Sequence, residues 1–348
     1  MQLLQFYLYI FMINKLIKLE DNNIKPKWFL RQAGRHIPEY FTIRSKHNNF
    51  IEFCLDKRSI VNATILPLKY YNIDAAILFS DILLLPYFLG QKVAFKKEIG
   101  PVLKKINLNE KFFKKDIDFN DLTSIKNAIF EIKKKLPNSK DLIGFCGAPW
   151  TLACYMIEGG SSKDYAKTRT FLWNNEQVFF KLINKLIKNC ADLLEYQYQA
   201  GCTVLMIFDT WSSMIPDKYW VKFGIEPIKF IVDRLRKKNV KCPIIGLPFK
   251  SGEMLIQYSY ESQVDVVSID WKTNLDWALK NINDHVITQG NLDPVILSCD
   301  NRLAIKKEVY RILDLTQNKC HIFNVGHGLT PEVKIENVKY AIKLIDDY

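Results

Sequence analysis

The sequence predicts an α/β protein folded as a single (β/α)8 barrel. Two observations carry this. Short, apolar, β-prone runs recur at residues 28–32, 75–79, 142–147, 203–209, 243–248, 264–270, 286–290 and 321–325. Their near-continuous apolarity is that of strands buried on both faces of a parallel sheet. Between them lie amphipathic stretches. One spans 179–194, apolar at helical spacing with Lys on the other face, and another spans 337–345. Eight strands alternating with helices in 348 residues fit one barrel. An open doubly wound sheet would normally carry a Gly-rich dinucleotide turn after its first strand. Here that place holds Arg31-Gln32-Ala33-Gly34-Arg35. No internal repeat or low-complexity linker interrupts the pattern, so residues 26–348 are expected to form one domain behind an extension at 1–25.

Residues 1–13 are mostly apolar but too short to span a bilayer. They lack the basic n-region and the small-residue cleavage site of a signal peptide. Met12 offers an alternative start that would make residues 1–11 no part of the protein; a short organelle-targeting remnant is the other possibility. The net charge of +12 comes from 49 basic residues, of which 40 are Lys. Such a balance suits nucleic acid, an anionic membrane or an acidic small molecule. The Lys residues are dispersed, with no Arg-rich tract or zinc-finger spacing, so neither nucleic acid nor membrane is expected as a partner. Eight cysteines show no CxxC pair and lie mostly in apolar runs, as reduced thiols of a cytoplasmic protein would.

Reactive residues of a barrel gather at the C-terminal ends of its strands. After the first run, two of only nine Arg fall within five residues, beside Gly34. Arg presents a planar fork of donors that matches a carboxylate or phosphate in a bidentate way, which Lys cannot copy. The plain alternative is a solvated loop. After the second run comes Ser80-Asp81, where Asp81 is either functional or a helix cap. After the third come Ala148-Pro149-Trp150 and Tyr155, and after the fourth Asp209-Thr210-Trp211. Tyr155 is a candidate pocket residue or a buried ring with a satisfied hydroxyl. Asp293-Pro294 has the form of a turn before a helical N1 proline. His327 stands between Gly326 and Gly328, which supply no packing wall, and so favours a functional loop. Gly159-Gly160-Ser161-Ser162 is a loop or a lid. Two Arg, a His, several Asp, a Tyr and a Thr at one mouth suit a polyanionic substrate with a cationic centre.

Taken together, these segments resemble the uroporphyrinogen decarboxylase family of the haem pathway, in its α-proteobacterial form. The matching stretches are Arg31-Gln32-Ala33-Gly34-Arg35 through Pro38-Glu39-Tyr40, Asp74-Ala75-Ala76-Ile77-Leu78-Phe79-Ser80-Asp81-Ile82-Leu83, Gly147-Ala148-Pro149-Trp150-Thr151 with Tyr155, Gln289-Gly290-Asn291-Leu292-Asp293-Pro294, and Gly326-His327-Gly328. They run in consistent order from about residue 26 to the C-terminus, and the ordered set is far more specific than any one motif. The resemblance implies a homodimer with facing clefts, no cofactor and no metal. It implies removal of four acetate carboxyls from uroporphyrinogen III to give coproporphyrinogen III and CO2. It implies that Arg31, Arg35 and Arg44 hold substrate carboxylates, that Asp81 faces the pyrrole N–H groups, and that Gln32, Ala33, Gly34, Tyr155, Thr210 and His327 complete the pocket. Asp81, Arg31 and Arg35 are the candidates for chemistry. Thr210 replaces the family's usual Ser; the hydroxyl survives, but its methyl narrows the space. His36 stands where an aromatic or aliphatic residue is usual.

Related barrels of cobalamin-linked methyltransferases hold zinc through a His-x-Cys pair and a later Cys. No His-x-Cys occurs here, since His321 directly follows Cys320.

Overall fold

Buried apolar runs pair side by side to make the centre of the molecule. The computed structural model describes residues 25–348, and the expectations for the N-terminal extension and its start lie outside them apart from Lys25. Seven parallel strands form one sheet in the order β1 (Ala75–Ile77), β4 (Asp141–Gly147), β5 (Val204–Asp209), β6 (Ile244–Pro248), β7 (Val266–Ile269), β8 (Ile287–Leu292) and β9 (His321–Val325). Every residue of β5 to β9 is buried. That is the signature of strands covered on both faces and explains their unbroken apolarity. Between β1 and β4 the chain makes an antiparallel hairpin, β2 (Val93–Lys96) and β3 (Gly100–Leu103).

Helices return the chain between strands. The expected helix at 179–194 lies within Glu176–Ala200, whose buried Phe179, Leu182, Ile183, Leu186, Cys190, Leu193 and Leu194 follow helical spacing. It stops at Gly201, whose φ of 120° suits a residue without a Cβ. The expected C-terminal helix runs Ile335–Asp346. No described helix is long and apolar enough to cross a membrane. Six of the eight cysteines are buried, and none is in a disulfide.

Seven of the eight expected strands are present; the first is not. Pairing begins just before it, where Lys27 bridges Phe323 in parallel. Phe323 donates its N–H to Pro26 O (2.8 Å), and Trp28 donates to Phe323 O (3.2 Å). On the other side Asp74 donates to Lys27 O (2.8 Å). The run at 28–32 is apolar because Trp28 and Phe29 are fully buried. By Gln32, whose N–H bonds Phe29 O at 3.0 Å, the chain is already turning. The hairpin β2–β3 was not expected from the sequence, because its four-residue strands alternate only weakly in burial. The strand expected at 286–290 continues to Leu292.

The buried indole of Trp28 donates to Gln289 Oε1 at 2.8 Å, and Gln289 in turn donates to Ser268. Replacing Gln289 by Leu orphans a donor inside the core. The Q289L variant should lose about 1–3 kcal/mol in a denaturant titration. A change below about 0.5 kcal/mol would show that this link does not fasten the first segment to the sheet.

Candidate active site

Tight turns after Trp28 present the first loop. Gln32 is fully buried, takes the Phe29 N–H (3.4 Å) and donates to Ala75 O (3.1 Å), so its side chain is an internal strut facing away from solvent. Leu30 donates to Asn324 Oδ1 (3.0 Å), and Leu329 donates to Leu30 O (2.8 Å), tying this loop to the last one. At the apex Arg31 has a φ of 60°. A left-handed Arg costs on the order of 1 kcal/mol and persists only where its surroundings impose it. Gly34 is required beside it, since a Cβ there would lie 2.9 Å from Arg31 O. Ala33 is half-buried in the same loop, and Arg31 and Arg35 are both exposed.

The Arg31 side chain lies across the last loop. A Cβ on Gly328 would stand 2.2 Å from Arg31 Cδ and 2.5 Å from its Cγ. The family-like glycine therefore makes a groove for the guanidinium stem. Burial lowers the Arg31 pKa, while Tyr155 and Asp81 raise it and Arg35 lowers it. Those three groups are thus its electrostatic neighbours.

Asp81 follows β1 and does two things. Its Oδ1 accepts the Leu83 N–H at 2.8 Å, a local turn at the start of helix Leu84–Phe88. Burial nevertheless pushes its pKa up to about 6, against the opposing pull of that N–H and of Arg31. Tyr155, on helix Pro149–Glu158, is raised by burial and by Asp81 and lowered by Arg31, so its hydroxyl faces the same pair. Its ring packs edge-on to Trp211 at 6.0 Å. Tyr40 is raised to about 12 by burial and Cys54, with Arg35 and Arg44 pulling it back. Arg44 is less free than the other two arginines. It donates to His47 O at 2.8 Å and lies over the rings of Phe50 and Phe53.

His327 stacks against Phe249 with centroids 4.3 Å apart. Burial, Arg31 and Lys250 together hold its pKa down to about 3, so the imidazole is neutral at physiological pH. Thr210 sits half-buried just beyond β5. Beneath it Thr151 donates to the buried Asp209 Oδ1 (2.6 Å) and accepts the Trp211 N–H (3.0 Å), fixing the loop that carries Thr210. Burial raises Asp209 to about 7. The Gly159-Gly160 segment is not free: Gly160 bridges Val102, and Leu103 donates to Gly159 O. Asp293 caps the 3-10 turn Pro294–Ser298, as its sequence suggests. His36 lies outside this cluster, buried against Tyr71. Among the described residues no three His, Cys, Asp or Glu side chains converge as metal ligands would.

Arg31, Arg35, Asp81, Tyr155 and His327 are thus drawn together through shared contacts or fields, on three loops and the helix Pro149–Glu158. The uroporphyrinogen decarboxylase (URO-D) family model matches residues 13–348. The chain belongs to the uroporphyrinogen decarboxylase family. It is 40% identical over 333 residues to the uroporphyrinogen decarboxylase of Rickettsia massiliae, covering 95% of each chain. It is 38% identical over 338 residues to that of Rickettsia bellii, covering 97% of this chain and 98% of the relative. A methyltransferase from Methanosarcina mazei superposes with a TM-score of 0.76 over 95% of this chain and 96% of that one, at 13% identity. A putative vitamin-B12-independent methionine synthase from Listeria monocytogenes gives 0.55 at 14% identity, over 93% and 98%. These two show the shared α/β architecture alone.

Reasoning about strand ends passed over the loops after β6 and β7. They supply Lys250, Phe249 and Trp271, which were legible as the residues directly following two expected strands. The geometry also makes Gly328 testable. G328A should displace Arg31 and lower kcat/KM for uroporphyrinogen about tenfold or more, with melting temperature little changed. Wild-type kinetics would show that the position of Arg31 is immaterial.

Proposed function

We propose that this chain removes the four acetate carboxyls of uroporphyrinogen III, giving coproporphyrinogen III and four CO2, with the substrate's own pyrrole rings serving as the electron sink. The supporting observation is the Asp81 carboxylate, fixed by the Leu83 N–H and within the field of Arg31. Protonation of a pyrrole at the α-carbon next to the one bearing an acetate arm spreads positive charge over the ring, including the carbon that carries the arm. The bond to the carboxylate then breaks, its electron pair neutralises the ring and CO2 leaves. Protonation of the exocyclic carbon and loss of the ring proton give the methyl product. Asp81, poorly solvated and fixed by the Leu83 N–H, accepts from the pyrrole N–H groups and stabilises the cation as it forms. Arg31 and Arg35 bind carboxylates; neither is a useful acid, because the guanidinium pKa exceeds about 12. Neutral His327 and Tyr155 bound the pocket, and Thr210 and Arg44 lie farther along it.

The same proposal includes a closed (β/α)8 barrel over residues 26–348. The main-chain bonds of residues 26–28 to both Phe323 and Asp74 support an eighth stave. It includes a cytoplasmic setting, which suits eight unpaired thiols, and a homodimer. Trp271 and Val295, 38% and 60% exposed on loops after β7 and β8, offer apolar area for a partner at the mouth.

An acid limb follows from Asp81. Its pKa in the folded chain is about 6, above the ordinary 3.8, so the carboxylate is lost as pH falls through about 6. In the wild type kcat/KM should drop roughly tenfold per pH unit below that point. D81N should lower kcat about 10²–10³-fold and abolish the limb. The raised pKa also means that the ionised group costs stability above pH 6. D81N should therefore melt higher than wild type at pH 7.5, with the difference gone below about pH 4. Near-normal turnover by folded D81N would refute the assignment.

A further inference from the structure

Between the loops after β5 and β6 lies a cavity of about 280 Å3, lined in part by Ser212, Ser213, Trp220, Lys250 and Ser251. Two exposed acids, Asp217 and Glu253, are also among its lining residues. Ser212 has spent its hydroxyl on Phe249 O (2.9 Å). Two other donors have not: the Trp220 indole N–H and the Ser251 hydroxyl are buried without a hydrogen-bond partner among the described residues. Buried donors are ordinarily satisfied, and both residues belong to this lining, so the pair marks a place that lacks an acceptor.

Lys250 supplies the charge. Its backbone is left-handed, with a φ of 59°, and its N–H is fixed by Asp270 Oδ2 at 3.2 Å. The ammonium stands 5.0 Å from the Phe249 ring centre and 5.7 Å from that of Trp271, and forms no ion pair among the described residues. A cation held between two rings, without a carboxylate, is poised for an anion from outside. Its field reaches His327. The cavity it lines includes none of Asp81, Arg31 or Tyr155 among its lining residues, so an anion held there lies outside the cluster proposed for the chemistry.

Building on the proposed decarboxylase activity, we propose that Lys250 anchors a propionate carboxylate of the tetrapyrrole, one of the arms the reaction leaves intact, with that arm lying in the cavity over β5 and β6. Propionates are common to substrate and product, so this contact adds binding that is equal at the start and end of the reaction. Removing it should raise KM and leave the chemical step alone.

Asn tolerates a left-handed backbone, so K250N removes the charge with little strain. Under anaerobic conditions we would measure KM for uroporphyrinogen III and Ki for added coproporphyrinogen III in wild type, K250N and K250R. K250N should raise both constants about tenfold, with kcat within about threefold, and K250R should recover most of the loss. A raised KM with unchanged Ki would place an acetate at Lys250 and overturn the proposal. So would two unchanged constants in a K250N protein of normal melting temperature. A wild type that turns over normally beside such a variant would leave the decarboxylase proposal standing. A wild type without turnover would end both.

Discussion

Phe323 gives its N–H to Pro26 and receives that of Trp28, while Asp74 binds Lys27 from the opposite side. The site depends on this short clasp. It fixes where the chain leaves the sheet, so that three residues later Arg31 reaches its left-handed apex. Leu30 then joins the last loop through Asn324 and Leu329, which brings the guanidinium stem onto Gly328. The earliest described segment and the last strand of the sheet thereby share one pocket, and Asp81 enters it from β1. Rigid strands set the spacing, and the loops contribute the chemistry.

The electrostatics of the pocket are unbalanced before any substrate enters. Desolvation works against the charge of Asp81, and against that of Arg31, whose stem packs on Gly328 although the residue as a whole stays exposed. His327 is kept neutral by burial and by cations on two sides. A flexible macrocycle bearing eight carboxylates would relieve the cations, and its pyrrole N–H groups would meet the single carboxylate. On the proposed mechanism, ring protonation, the hard step, would then occur where a fixed negative charge already waits. This is preorganisation at the cost of local stability.

Much of this was legible in the sequence. Seven strands could be read because burial on both faces leaves an unbroken apolar run. Arg31, Asp81 and His327 could be singled out because they follow such runs, and the structure sets them in one electrostatic cluster. The first strand was misplaced because burial and extension give the same apolar signal. Trp28 and Phe29 are core residues, whereas the main-chain pairing runs through residues 26–28 and ends before the turn at Leu30. Gln32 lies within a pocket motif, yet its amide serves Ala75 O, a long-range partner that composition does not reveal. The Asp209–Thr151–Trp211 chain depends on two segments about sixty residues apart meeting in space, as its hydrogen bonds record.

The most direct test is anaerobic incubation of the purified, metal-stripped protein with uroporphyrinogen III, followed by oxidation and separation of the products by carboxyl number. Successive seven-, six- and five-carboxyl species ending in coproporphyrin, at a rate unaffected by chelator, are the predicted result. A folded protein that returned the eight-carboxyl substrate unchanged would contradict it.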